Sequence, residues 1–174
     1  MVLNDEIRHD GKDEKKVIRS FCIKLAAVCL ILWGVFTFVF GAAQMKGESM
    51  YPRIRDGDLM LYFRMERTYA IGDVVTFRID GIRYTARIVA MDGDIVIITE
   101  DGQLMVNGNV QDEEIFYPTE ETPGGVTYPY IVESGSYFLL CDFRTAGVDS
   151  RSFGAIVKKD FDGKVITILR RRGI

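Results

Sequence analysis

Nineteen consecutive residues without a charge, LAAVCLILWGVFTFVFGAA at positions 25–43, constrain this chain more than any other feature. About 20 such residues are needed to cross a hydrocarbon core as a helix. A run of this kind fits a cleaved signal peptide, a buried core helix or a retained membrane anchor. It exceeds the roughly 7–15-residue core of a signal peptide, and 24 residues precede it. The retained anchor is therefore the reading carried forward. Trp33 falls mid-span, so no aromatic belt marks an interface.

Basic residues orient such an anchor. Arg8, Lys12, Lys15, Lys16, Arg19 and Lys24 precede or enter the run, whereas the first 20 residues after it hold Lys46, Arg53 and Arg55. That excess predicts an N-terminus on the cytoplasmic side and a C-terminal domain outside the cytoplasm. Three parts result: a charged, flexible cytoplasmic segment at 1–20, a transmembrane anchor at 21–43 and an extracytoplasmic domain at 44–174. The net charge of −3 argues against nucleic-acid binding. Cys22 and Cys29 belong to the anchor region, which leaves Cys141 alone in the outer domain and excludes a disulfide within it. A lone thiol of this kind is expected to be buried.

The outer domain reads as mainly β. DLMLYFRM, DVVTFRI, IRYTARIVAM, DIVIITE and QLMVNGNV are short runs rich in β-branched and aromatic residues. Turn signals with Gly or Asp lie between them. FRIDGIRY and ITEDGQLMV predict hairpins on Asp-Gly. YIVESGSYFLLCDF and KVITILRR are also strand-like, and SRSFGAIV can begin a short helical turn.

Ser49 stands in GESMYP, between Gly47 and Pro52. Nucleophilic serine chemistry needs a presented hydroxyl, a base and N–H donors for the developing oxyanion. The only histidine, His9, precedes the anchor, which excludes a Ser–His–Asp arrangement in the outer domain. A buried lysine with a lowered pKa is the other common base, and the candidates after the anchor are Lys46, Lys158, Lys159 and Lys164. Lys158 and Lys159 read as solvated charges at a strand edge. No His/Cys cluster or calcium-loop spacing is present, so neither metal nor cofactor is expected.

Taken in order, one anchor, GESMYPRI, IGDVVTFR, RYTARIVAMDGD, LMVNG and CDFRTAGVDSRSFG resemble the type I signal peptidases. These are membrane-bound serine endopeptidases that remove signal peptides from exported proteins. The resemblance implies a signal-peptidase-like β domain after one N-terminal transmembrane helix, with its site facing the membrane. It implies that Ser49 is the nucleophile, with Gly47 and Gly147 as supports around the oxyanion. It implies shallow pockets for small substrate side chains, with Met50 and Tyr84 as groove residues. It also implies the ion pairs Asp142–Arg87 and Asp149–Arg151.

Four positions depart from the family pattern. The general-base lysine is replaced by Ala86. The Gly-Asp-Asn-Arg segment reads Cys141, Asp142, Phe143, Arg144, and the serine that orients the lysine is Gly147. A methyl group cannot accept a proton. The resemblance thus predicts a peptide-binding relative with impaired or lost hydrolysis. Similarly degenerate relatives accompany Gram-positive surface-pilus proteins as assembly accessories. The partners it implies are exported preproteins or surface and pilus proteins, held as extended peptides, and membrane lipid. An active peptidase using Ser49 with an unusual base is the rival reading. A purely structural ectodomain with a closed groove is the third.

Overall fold

The computed structural model describes residues 3–112, 115 and 117–170. It separates into a helical unit ending at Val39 and a β unit beginning at Phe40. The helical unit is a single helix, α1 (Leu3–Gly34), closed by a π-helical turn at Val35–Val39. The stretch Lys15–Val39 is long and apolar enough to cross a membrane.

Two boundaries differ from the sequence reading. The charged leader, expected to be flexible, is helical from Leu3. Its Glu, Lys and Arg residues are good helix formers and continue the apolar helix without a break. Phe40–Ala43, counted with the anchor, instead form most of strand β1 (Phe40–Gln44). That strand pairs antiparallel with β2 (Leu59–Phe63), Gly41 opposite Tyr62. A Cβ on Gly41 would lie 2.3 Å from the Tyr62 ring. The small residues at the end of the run thus make room for a neighbouring strand.

The remaining strands are β3 (Val74–Ile79), β4 (Ile82–Met91), β5 (Ile95–Ile98), β6 (Leu104–Val106), β7 (Asn109–Val110), β8 (Tyr130–Ile131), β9 (Ser136–Leu140), β10 (Ile156–Val157) and β11 (Phe161–Leu169). A seven-stranded sheet runs β1-β2-β11-β3-β4-β9-β10, and a four-stranded sheet runs β7-β6-β5-β8. Both Asp-Gly hairpins form. Asp80 and Gly81 take φ of 50° and 80° between β3 and β4, as a primed two-residue turn requires. The run YIVESGSYFLLCDF divides between the two sheets. Asp92 accepts hydrogen bonds from Ser134 Oγ at 2.8 Å and Gly135 N at 3.0 Å, fixing the turn between β8 and β9. SRSFGAIV begins with the short helix α2 (Ser150–Phe153), capped by Asp149.

The long strand β4 organises the domain. Along Val74–Ile79 it pairs with β3, and from Arg87 to Met91 its other edge pairs with β9. Over Ile82–Ala86 that second edge has no strand beside it among the described residues. One core packs Met50, Ile54, Val75, Phe77, Ala86, Ile88 and Cys141, and a second packs Val89, Val96, Leu104 and Phe138 beneath the smaller sheet.

Candidate active site

A groove of about 530 Å³ opens along the unpaired stretch of β4. Its walls are residues 44–49, Met60, residues 82–85, Ala146 and Val148. Ser49 sits at this groove, half-buried, on the turn between β1 and β2. The turn is well anchored. Met45 N donates to Asp58 O at 2.8 Å, Gly47 N to Asp56 Oδ1 at 2.7 Å, and Phe143 N to Ser49 O at 2.9 Å. Gly47 has a φ of 78°, a conformation that suits glycine.

Three sequence assignments change here. Met50, expected to line the groove, is fully buried in the larger core. The turn closed by Ile54 N to Met50 O at 2.9 Å belongs to the inward bend that carries it there. Gly47 was expected to support the oxyanion, but its N–H is committed to Asp56. Gly147 was given the same role, yet its N–H donates to Phe143 O at 3.0 Å. Among the described residues, the Ser49 N–H carries no hydrogen bond, so it is an available donor at the groove. Tyr84 does line the groove, as expected.

Ala86 is completely buried, opposite Val75 on β3, in the same core as Met50 and Cys141. The Cys141 thiol, buried in the same core as Ala86, is close enough to Ser49 to interact with it. Burial pushes this thiol up to about 12, with Asp149 adding to the shift and the Ser49 contact opposing it. The thiol also points at Val148 O, 3.7 Å away, and Thr85 O, 3.9 Å away.

The lysines are placed elsewhere. Lys158 reaches Arg67 O and lies over the Tyr69 ring. Lys164 pairs with Asp73 at 2.8 Å, and Asp73 also accepts from Ala70 N at 3.0 Å to hold its turn. Lys159 is exposed. Lys46 is exposed too, but it lines the groove with Ser49 and has no ion pair among the described residues.

Behind the site lies a network of buried charge. Arg87 holds Asp142 through two bonds, of 2.8 and 2.6 Å, and reaches Gly72 O at 2.7 Å. Asp149 receives Arg151 Nε at 2.9 Å, Arg151 N at 3.1 Å and Cys141 N at 2.9 Å. Arg144 Nε donates to Cys141 O at 2.8 Å. A profile of the signal peptidase family, peptidase S26, matches residues 18–169. The chain belongs to this signal peptidase family.

Signal peptidase IB of Staphylococcus aureus is 29% identical over 170 residues, covering 87% of this chain and 88% of the relative. Signal peptidase I S of Bacillus subtilis is 24% identical over 170 residues, covering 90% and 91%. The crystal structure of a signal peptidase I from Enterococcus faecalis matches with a TM-score of 0.47 at 23% identity, over 58% of this chain and 98% of that one. Sequence reasoning noted Cys141 and Gly147 as separate departures from the family. It missed that the two positions touch, a relation visible only once the loop from 141 to 149 is folded back on itself.

Proposed function

We propose that this chain is a membrane-anchored signal-peptidase-like protein that holds the cleavage region of exported proteins in the groove beside Ser49, with impaired or absent hydrolysis. The observation carrying this reading is Ala86, fully buried among apolar neighbours at the position where the family pattern has its general-base lysine. Losing a general base typically removes about two to four orders of magnitude in rate. The open edge of β4 along the groove supports binding of an extended peptide as an added strand. The same reading places the N-terminus in the cytoplasm and the β unit outside. It makes an accessory role in surface-protein or pilus assembly the biological form of the activity.

The rival, a working serine endopeptidase with an unusual base, is favoured by the presence of Lys46 in the same groove. One experiment separates them. The full-length chain, solubilised in detergent, is incubated with a signal-peptide-bearing preprotein beside Ser49→Ala and Lys46→Ala. Saturable binding of a fluorescent cleavage-region peptide without product is the expected result. Product formation abolished by both substitutions would establish the rival.

A further inference from the structure

Positions 141 and 147 have room for one side chain between them. A Cβ on Gly147 would sit 2.2 Å from Cys141 Cβ and 2.5 Å from its Sγ. Rotating the thiol relieves only the second contact, because Cβ is fixed by the backbone. That backbone is pinned on both sides. Cys141 N donates to Asp149 and its carbonyl accepts from Arg144, while Gly147 N donates to Phe143 O. Gly147 is not among the residues with positive φ. Glycine is therefore required there for space, not for backbone conformation. The thiol that fills the shared space points at the carbonyls of Thr85 and Val148, two groove residues.

We infer that positions 141 and 147, behind the Ser49 turn, act as one unit in which a side chain at either position excludes one at the other. A lysine restored at 86 would then meet a weakly hydrogen-bonding thiol. Adding Gly147→Ser without removing the Cys141 side chain would force a collision in a close-packed region. Reactivation thus requires Ala86→Lys, Cys141→Gly and Gly147→Ser together. Only this activity arm rests on the reading proposed above.

The test has two readouts on the full-length chain in detergent. In thermal melts, Gly147→Ser and Cys141→Gly are each expected to melt several degrees below the unmodified chain, and the double variant to recover most of the loss. If Gly147→Ser alone does not fold, recovery by the double variant decides. Additive losses would overturn the exclusion. In preprotein cleavage, the triple variant is expected to exceed Ala86→Lys by about 10²-fold or more. Its rate should rise with pH as the amine deprotonates and vanish on adding Ser49→Ala. Equal activity from Ala86→Lys with Gly147→Ser, Cys141 retained, would overturn the inference. A silent triple variant that melts normally would overturn the claim that these three changes together restore turnover. Cleavage by the unmodified chain would overturn the proposed loss of turnover and leave the melts to judge the unit.

Discussion

Two adjoining regions of the β unit treat polar groups in opposite ways. Asp142, Arg144, Asp149 and Arg151 are each no more than 4% exposed, and each is held by several hydrogen bonds. A few ångströms of chain away, Met50, Ala86 and Cys141 form a fully buried cluster without a charge. The difference separates scaffold from chemistry. The charged network fixes the segment from 141 to 151 and, through Phe143 N, the Ser49 turn. The apolar cluster is an environment that would hold a lysine neutral by desolvation, which a base requires. Among the described residues, this buried cluster holds no amine.

The sharpest way to break this comparison is Asp149→Ala. It removes the partner of Arg151, the acceptor of Cys141 N and the cap of α2 in one step. The Arg151 guanidinium would stay buried without its carboxylate, a loss of about 3–5 kcal/mol. Urea unfolding of the detergent-solubilised chain measures it. A loss below about 1 kcal/mol would mean that the network decorates the fold and does not hold it.

The apolar side is probed by thiol labelling. With Cys22 and Cys29 replaced by serine, Cys141 is the remaining cysteine. A shift from 9.0 to about 12, caused first by burial, lowers the thiolate fraction near neutral pH by about a thousandfold. Iodoacetamide at pH 8 should modify the native chain at least that much more slowly than the urea-unfolded chain. Comparable rates would place the thiol in water and dissolve the contrast.

Much of the first region and the fold was legible in the sequence, for reasons specific to its residues. Alternating Val, Ile and Phe around Asp80-Gly81 leave few conformations other than a hairpin. The pairs Asp142–Arg87 and Asp149–Arg151 followed from the family pattern, because buried charges tolerate few substitutes. The second region was only partly legible. Ala86 was visible as a departure from the family pattern, but Met50 was assigned to the groove because sequence order cannot tell which face of a tight turn looks inward. The end of the apolar run was misjudged for a related reason. Phe40–Ala43 have the composition of an anchor, and only pairing with Leu59–Phe63 reveals a strand.

Asp58 lies beside the Ser49 turn, its carbonyl accepting from Met45 N. Burial opposes its ionisation, but the Arg55 N–H and the Arg170 guanidinium outweigh burial and hold its pKa below the ordinary value of 3.8. A folded-state pKa below the unfolded one stabilises the fold above the unfolded value, and that stability is lost as pH falls through the folded value. Urea midpoints should therefore decline below about pH 4, and Asp58→Asn should flatten the decline. An unchanged acid limb would assign it to other carboxylates.

The smallest effect is expected at Arg78, and it tests whether burial or pairing makes the scaffold strong. Arg78 contacts Asp162 at 3.0 Å, but its side chain is 49% exposed. Asp162 keeps Arg83 at 2.7 Å when Arg78 is removed. Arg78 and Arg83 also face each other directly across β3 and β4, where like charges repel. The attraction to Asp162 and the repulsion from Arg83 nearly cancel, in water that screens both. Arg78→Ala should shift stability by no more than about 0.5 kcal/mol, and by less still in high salt. The pair has the same chemistry as Asp149–Arg151, so a loss approaching that of Asp149→Ala would show that pairing alone, not burial with complete hydrogen bonding, gives the charged region its strength.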